Sequence, residues 1–228
     1  MAVRTGQGVL RRMFVLSCPA LVLVVVLGLA GCGALGFTYV TNSADHTYMK
    51  IPNSWRPIDP RQLADTVGVD PAGGQQGLWM VAYDADATPS PTHLFGVDAT
   101  APAVFVSVQD VPVAARGQLS LDRLRDMVYP VSPTGRQQSV LSSASTFTDF
   151  ALLDDEVLTP GHGLRGVHSI FRYRINGGPL QVIDQTGYLN DDASRLYLAF
   201  ARCSTECYQQ RQKEIQTVMA SFTVRETP

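Results

Sequence analysis

Lysine is almost missing from this chain: Lys50 and Lys213 are the only two, against 16 arginines in 228 residues. Cysteine is nearly as scarce, with four, which excludes a disulfide-dense secreted scaffold. The sequence has no collagen-like composition, and at 45% hydrophobic it is too apolar for general disorder. It also lacks a basic excess. Its formal charge is −2 and its pI is near 6.0, which argues against a nucleic-acid binder. A G-x-S-x-G elbow is absent, so the sequence offers no activated serine of the hydrolase type. The glycines of GGQQG at 73–77 are not followed by Lys-Ser or Lys-Thr and make no phosphate loop. Internal repeats and low-complexity tracts are lacking too. The length permits one large domain or two small ones.

What the chain does have is concentrated at its start. Arg4, Arg11 and Arg12 precede an uncharged run from Phe14 to Cys32. A basic segment, an apolar segment and then small residues is the order of a secretory signal. Leu29-Ala30-Gly31-Cys32 matches the bacterial lipobox, and the segment resembles a type II lipoprotein signal peptide. That resemblance implies cleavage after residue 31 and acylation of the Cys32 sulfur. The competing readings are an uncleaved anchor and ordinary cleavage. Phe14 to Ala30 spans 17 residues, and a membrane span needs roughly 17–25. Cys18 has too short an apolar run before it to be the acylation site.

Removing residues 1–31 discards three arginines and no acid, so the charge falls from −2 to −5. Such a domain is not drawn to an anionic membrane by charge. Attachment would come from covalent lipid, which holds stably with two or more chains. The expected organisation is a signal peptide over 1–31, a lipidated tether over 32–44 and a single extracytoplasmic domain over 45–228.

Within that domain, Thr47 to Ile51 reads as a strand and Pro52-Asn53-Ser54 as a turn, with Trp55 placed to lock it onto a core. Asp59 caps a short helix with Pro60 first and Leu63 and Val67 on one face. Residues 78–84 read as a strand and 85–102 as a surface loop. Val104, Val106 and Val108 share one face of a strand over Ala103 to Val111. Ser120 caps a helix from Leu121 to Tyr129, ended by Pro130. A strand from Phe147 to Leu158 breaks near Asp154-Asp155-Glu156. Gly166 to Ile175 alternates and meets Asn176-Gly177, a strong hairpin signal. Strands at Pro179 to Leu189 and Arg195 to Arg202, a helix from Thr205 to Ala220 and the tail Phe222-Thr223-Val224 complete the chain. The fold class is α+β, a mostly antiparallel sheet flanked by helices. A domain of this size buries enough surface to fold without a cofactor.

Two segments carry a family resemblance. Ile51-Pro52-Asn53-Ser54-Trp55 is similar to the Pro-x-x-Trp turn after the first strand of the PsbP-like group. The strand RLYLAFAR at 195–202, a helix and SFTVRE at 221–226 are similar to that group's closing segment. The chain thus resembles the PsbP-like fold group, which includes the extrinsic photosystem II protein and LpqN-type actinobacterial lipoproteins. The arginine bias, a sign of GC-rich coding, fits an actinobacterial source. The resemblance implies a small α+β domain that acts as an accessory or binding protein, and it carries over no catalytic residue.

Few residues suggest chemistry. Cys203 and Cys207 are the cysteines remaining after Cys32, and an oxidising exterior favours a disulfide between them. In a regular helix, positions four apart hold their Cβ atoms ~5–6 Å apart, too far for a bridge that needs roughly 3.5–4.5 Å. The bridge therefore requires Cys203 at the strand end and Cys207 in the first helical turn. His162 and His168, with Asp154, Asp155 and Glu156, could form a metal or acid–base group; the plainer reading is a solvated bend and a turn. Arg172, Arg174 and Arg195 with Asp184 could form an anion-binding patch on an open sheet face; the plainer reading is cross-strand charge pairing. His46 and His93 sit in expected loops. The leading expectation is a non-enzymatic, lipid-anchored binding or accessory module at the outer face of the cell membrane, with no cofactor or metal and a protein or small-molecule partner. The alternatives are a secreted envelope hydrolase or metal-dependent enzyme, and a carrier of an apolar ligand, which needs an apolar cavity between sheet and helices.

Overall fold

The computed structural model describes residues 36–69, 77–97, 99–141 and 146–225. Residues Gly36–Pro228 form one compact unit. The segment over 1–31 expected to be a signal peptide, Cys32 and the glycines at 73 and 74 lie outside the described residues.

Ten strands and six helices are described. In chain order they are β1 (Phe37–Asn42), β2 (Thr47–Pro52), β3 (Arg56–Pro57), α1 (Pro60–Val67), β4 (Leu78–Asp84), α2 (Thr92–Phe95), β5 (Ala103–Asp110), α3 (Val113–Arg116), α4 (Leu121–Arg125), α5 (Pro133–Leu141), β6 (Phe147–Gly161), β7 (Leu164–Ile175), β8 (Leu180–Leu189), β9 (Arg195–Ser204), α6 (Thr205–Ala220) and β10 (Thr223–Val224). Seven strands form the main sheet in the order β3-β4-β5-β9-β8-β7-β6, and β1-β2-β10 form a small second sheet. Every described pairing is antiparallel. The α+β class with a mostly antiparallel sheet is thus what the chain adopts. β1 lies within the expected tether, yet it pairs with β2 along its length.

The alternation of β5 sets the layers. Val104, Val106 and Val108 enter one core with Val218 and Met219 of α6 and Met49 and Ile51 of β2. Phe105 enters the other with Leu63 of α1, Leu94 of α2 and Phe200 of β9. Both faces of the sheet's centre are therefore covered, and β5 is buried over most of its length. Among the described residues no helix is long and apolar enough to cross a membrane.

Local chemistry explains the element ends. The Asp59 side chain accepts the Arg61 and Gln62 N–H groups, Pro60 starts α1, and Gly68 ends it at φ 74°. Asn176 and Gly177 both take positive φ, 49° and 73°, at the centre of the turn closed by the Gly178 N–H to the Ile175 carbonyl. The Ser204 hydroxyl accepts the Cys207 N–H and starts α6.

Three expectations change. The loop over 85–102 is not merely surface: it contains α2, and Leu94 and Ala99 have no exposed surface. Helix α4 stops at Arg125 rather than Tyr129, because Asp126 accepts the N–H groups of Val131 and Ser132 and the Ser132 hydroxyl, which turns the chain. Helix α5 was not expected. It has no buried residue and so no apolar stripe, but Ser132 accepts the Gly135 N–H ahead of Pro133, an N-cap and first-turn proline that mark a helix start.

Candidate functional site

Sheet and helices part along the face that carries Phe105. There a groove of about 490 Å³ runs between β4-β5-β9 below and α1 and the segment after α4 above. Phe105 and Phe200 form its floor with Phe95 at one side; the three rings lie 5.5–5.7 Å apart. Met80, Met127, Val128 and Leu198 supply further apolar surface. Polar groups are few: Ser107, Gln109 and the Tyr129 hydroxyl. The lining contains no carboxylate, imidazole or thiol. Such a surface can hold an apolar ligand by burying it, but it offers no acid, base or thiol nucleophile for covalent chemistry.

Buried polar contacts brace this region. Arg202, 1% exposed, donates to the carbonyls of Leu94 at 2.7 Å and Gly96 at 2.6 Å, and to the Tyr129 hydroxyl at 3.1 Å. Tyr129 in turn donates to the Leu94 carbonyl. Burial raises the Tyr129 pKa, against the pull of Arg202, so the phenol stays protonated. On the neighbouring stretch, Tyr173 donates to the Pro130 carbonyl at 2.5 Å, and burial lifts its pKa to about 12. The segment over the groove is therefore fixed from beneath.

A second, more polar cleft of about 920 Å³ shares Leu78, Gln109 and Met127 with the groove. Arg116, Arg123 and Arg195 line it beside Asp110 and Asp126. Arg195 reaches Asp110 at 2.6 Å and Asp45 at 3.1 Å, and Arg116 reaches Asp192 at 3.3 Å. Two of its three arginines are thus already matched by acids.

The sequence-derived candidates are placed as follows. Arg172, Arg174, Arg195 and Asp184 do not form one patch. Asp184 is buried at 1% exposure and bonds His168 at 2.9 Å. Arg174 pairs with Asp149 near the sheet's end, Arg195 pairs at the opposite end of β9, and Arg172 stands opposite Val182. The face was expected to be open, but α6 packs across its centre.

His162 and His168 do not converge either. His162 is in the β6–β7 turn with φ 53°, six positions before His168 of β7, which at about 3.3 Å per extended residue puts them on the order of 15–20 Å apart. Asp155 faces the other side, held by Arg125 at 2.8 Å and the Ser169 hydroxyl at 2.7 Å. The Arg125 hydrogen bond holds the Asp155 carboxyl below its usual range. Among the described residues no three His, Cys, Asp or Glu side chains come together to hold a metal ion. His93 has a partner that spacing did not suggest, the fully buried Asp84 at 2.6 Å. Asp84 also accepts the N–H groups of Asp86 and Ser90, so the pair organises the loop before α2. His46 caps the β1–β2 turn, its carbonyl accepting from Arg225.

Cys203 and Cys207 are two free, buried thiols, not the expected disulfide. Cys203 does lie near the end of β9 and Cys207 in the first turn of α6. Their mutual interaction raises the pKa of Cys203 and lowers that of Cys207.

Alternation alone puts Leu198 and Phe200 on a core face and Phe105 on the face it shares with Ser107. It gives the same signal whether the opposing layer closes on them or leaves a groove beside them.

No protein-family model matches the chain, and no curated protein matches it in sequence. Solved structures do. A cyanobacterial PsbP from Synechocystis is 15% identical, with 87% of this chain and 99% of that chain covered and a TM-score of 0.46. LpqN of Mycobacterium tuberculosis, described as involved in cell envelope biogenesis, is 12% identical over 84% of this chain and 91% of its own, with a TM-score of 0.40. The Ran-binding protein Mog1p of Saccharomyces cerevisiae is 10% identical over 84% and 96%, with a TM-score of 0.43.

Proposed function

We propose that this chain is a lipid-anchored, extracytoplasmic binding module, and that it holds an apolar ligand in the groove over Phe105 and Phe200. The observation that carries the reading is the groove itself. It is of ordinary ligand-site size, lined mostly by apolar side chains, and without acid, base or thiol in its lining. The anchoring part rests on Leu29-Ala30-Gly31-Cys32 after an uncharged run. Lipid on Cys32 keeps the domain at the membrane surface, where apolar ligands are concentrated. The hydrolase alternative loses support from the separation of His162 from His168.

The test of anchoring is metabolic labelling with a radioactive fatty acid, followed by membrane fractionation. The expected result is labelled, membrane-bound protein, and loss of the label with a shift to larger, uncleaved chain in Cys32→Ala. Unchanged labelling and unchanged mass in that variant would contradict the reading.

A further inference from the structure

The small sheet has an inner face in the core and an outer face in solvent. Along β1, Val40 and Asn42 are buried while Tyr39 and Thr41 are exposed. Along β2, Thr47, Met49 and Ile51 are buried, and Tyr48 and Lys50 lie on the outer side. The register sets Tyr39 opposite Lys50 and Thr41 opposite Tyr48, with Thr223 of β10 on the far side of Tyr48. Arg225 follows β10, its backbone N–H donated to the His46 carbonyl.

This outer face is unlike the rest of the domain. The Arg225 guanidinium lies 5.3 Å from the centre of the Tyr48 ring, and the Lys50 ammonium 5.9 Å from that of Tyr39. Strands β1, β2 and β10 contain no Asp or Glu. Asp45, in the β1–β2 turn, is engaged by Asn42 and Arg195. Neither Lys50 nor Arg225 has a carboxylate partner among the described residues. Tyr39 is 67% exposed, whereas the other large exposed apolar side chains described are aliphatic. A domain whose formal charge beyond residue 31 is −5 thus presents here two cations and two tyrosines.

Chain length sets what this face meets. Ordered structure begins at Gly36, whose carbonyl accepts the Asn53 N–H, four positions after Cys32. Four fully extended steps reach at most about 14 Å. The headgroup layer of a bilayer is roughly 5–8 Å thick on each side. Lipid on Cys32, the reading on which this inference rests, therefore holds β1 in or beside that layer. Tyrosine suits that depth, with its ring toward the apolar border and its hydroxyl in water. Lysine and arginine are drawn there to anionic lipid, while the acids elsewhere on the domain are repelled by it. We propose that the outer face of β1-β2-β10 seats on the membrane, with Tyr39 and Tyr48 in the headgroup layer and Lys50 and Arg225 against the phosphates of anionic lipids.

The two lysines of the chain make the test internal, since Lys50 is on this face and Lys213 is exposed on α6. The full chain carrying its lipid is reconstituted into vesicles of phosphatidylglycerol and phosphatidylcholine in equal parts, or kept in non-ionic detergent. Both samples are treated with uncharged N-hydroxysuccinimidyl acetate, and acetylation of each lysine is read by peptide mass spectrometry. The ratio of Lys50 to Lys213 labelling should fall about fivefold or more from detergent to vesicles. Tyr39→Ser combined with Arg225→Gln, both at exposed positions, should return the ratio to within about twofold of its detergent value. An unchanged ratio in a chain that floats with the vesicles would overturn the proposal and leave the lipid anchor standing. So would protection of Lys213 in place of Lys50, or full protection of Lys50 in the double variant. Protection in native membranes but not in vesicles of the purified chain would overturn it in favour of a protein partner. A chain that does not float with the vesicles would remove the anchor, and the proposal with it.

Discussion

His168 Nε2 lies 2.9 Å from Asp184 Oδ1 and joins β7 to β8 through a carboxylate whose side chain is 1% exposed. The hydrogen bond to Asp184 raises the His168 pKa above its ordinary 6.5, outweighing burial, which lowers it; Asp154 and Glu156 add to the rise. The folded chain therefore holds this proton more tightly than the unfolded chain does. The stabilisation is complete below the unfolded value and is lost as pH climbs through the raised folded value. Denaturant unfolding of the wild type and His168→Gln should show the largest stability gap near about pH 5.5 and a smaller one near about pH 8.5. A gap that widens with pH would contradict the assignment.

Arg202 fixes α2 to β9 through the Leu94 and Gly96 carbonyls. Arg202→Met keeps much of the volume but strips donors from both carbonyls and from the Tyr129 hydroxyl. The expected loss is about 3 kcal/mol or more. Hydrogen exchange should quicken first in residues 92–96. A loss below about 0.5 kcal/mol, the range of an ordinary surface change, would show that the contacts are incidental.

The thiols of Cys203 and Cys207 are buried at 0% and 6% exposure. A maleimide should leave both unlabelled in the folded chain. After unfolding without reductant it should label both, as peptide mass spectrometry can locate. Two unlabelled cysteines in the unfolded chain would reveal a bridge in place of two free thiols.

Strand positions were largely legible in the sequence because local rules and tertiary packing agreed, whereas the order that sets β5 beside β9 was not. Asn176-Gly177 sets the β7–β8 hairpin register, and the valines of β5 alternate as a buried strand must. Trp55 was expected to lock the Pro52–Ser54 turn, and it does so with its indole N–H donated to Glu214 at 2.7 Å. That partner is 159 positions away, and no local pattern names it. The site was less legible. Asp84 with His93 and Asp184 with His168 are contacts made by sheet pairing and loop return, not by spacing. The arginines at 172, 174 and 195 looked like a set because strands were read without the helix that crosses them. A groove is set by how a neighbouring layer lies over the sheet, and the placement of α1 and of the segment after α4 relative to Phe105 and Phe200 is a tertiary property that alternation does not encode.

Photo-crosslinking in native membranes tests the central claim most directly. A long-chain alcohol carrying a diazirine would be added to membranes containing the full-length chain, irradiated, and its adducts mapped by mass spectrometry. An apolar-ligand module predicts adducts at Met80, Phe105, Met127 and Leu198, competed away by excess unlabelled alcohol. Adducts confined to other surfaces, such as the exposed Leu152, Leu153 and Val157 of β6, with none in the groove, would contradict it.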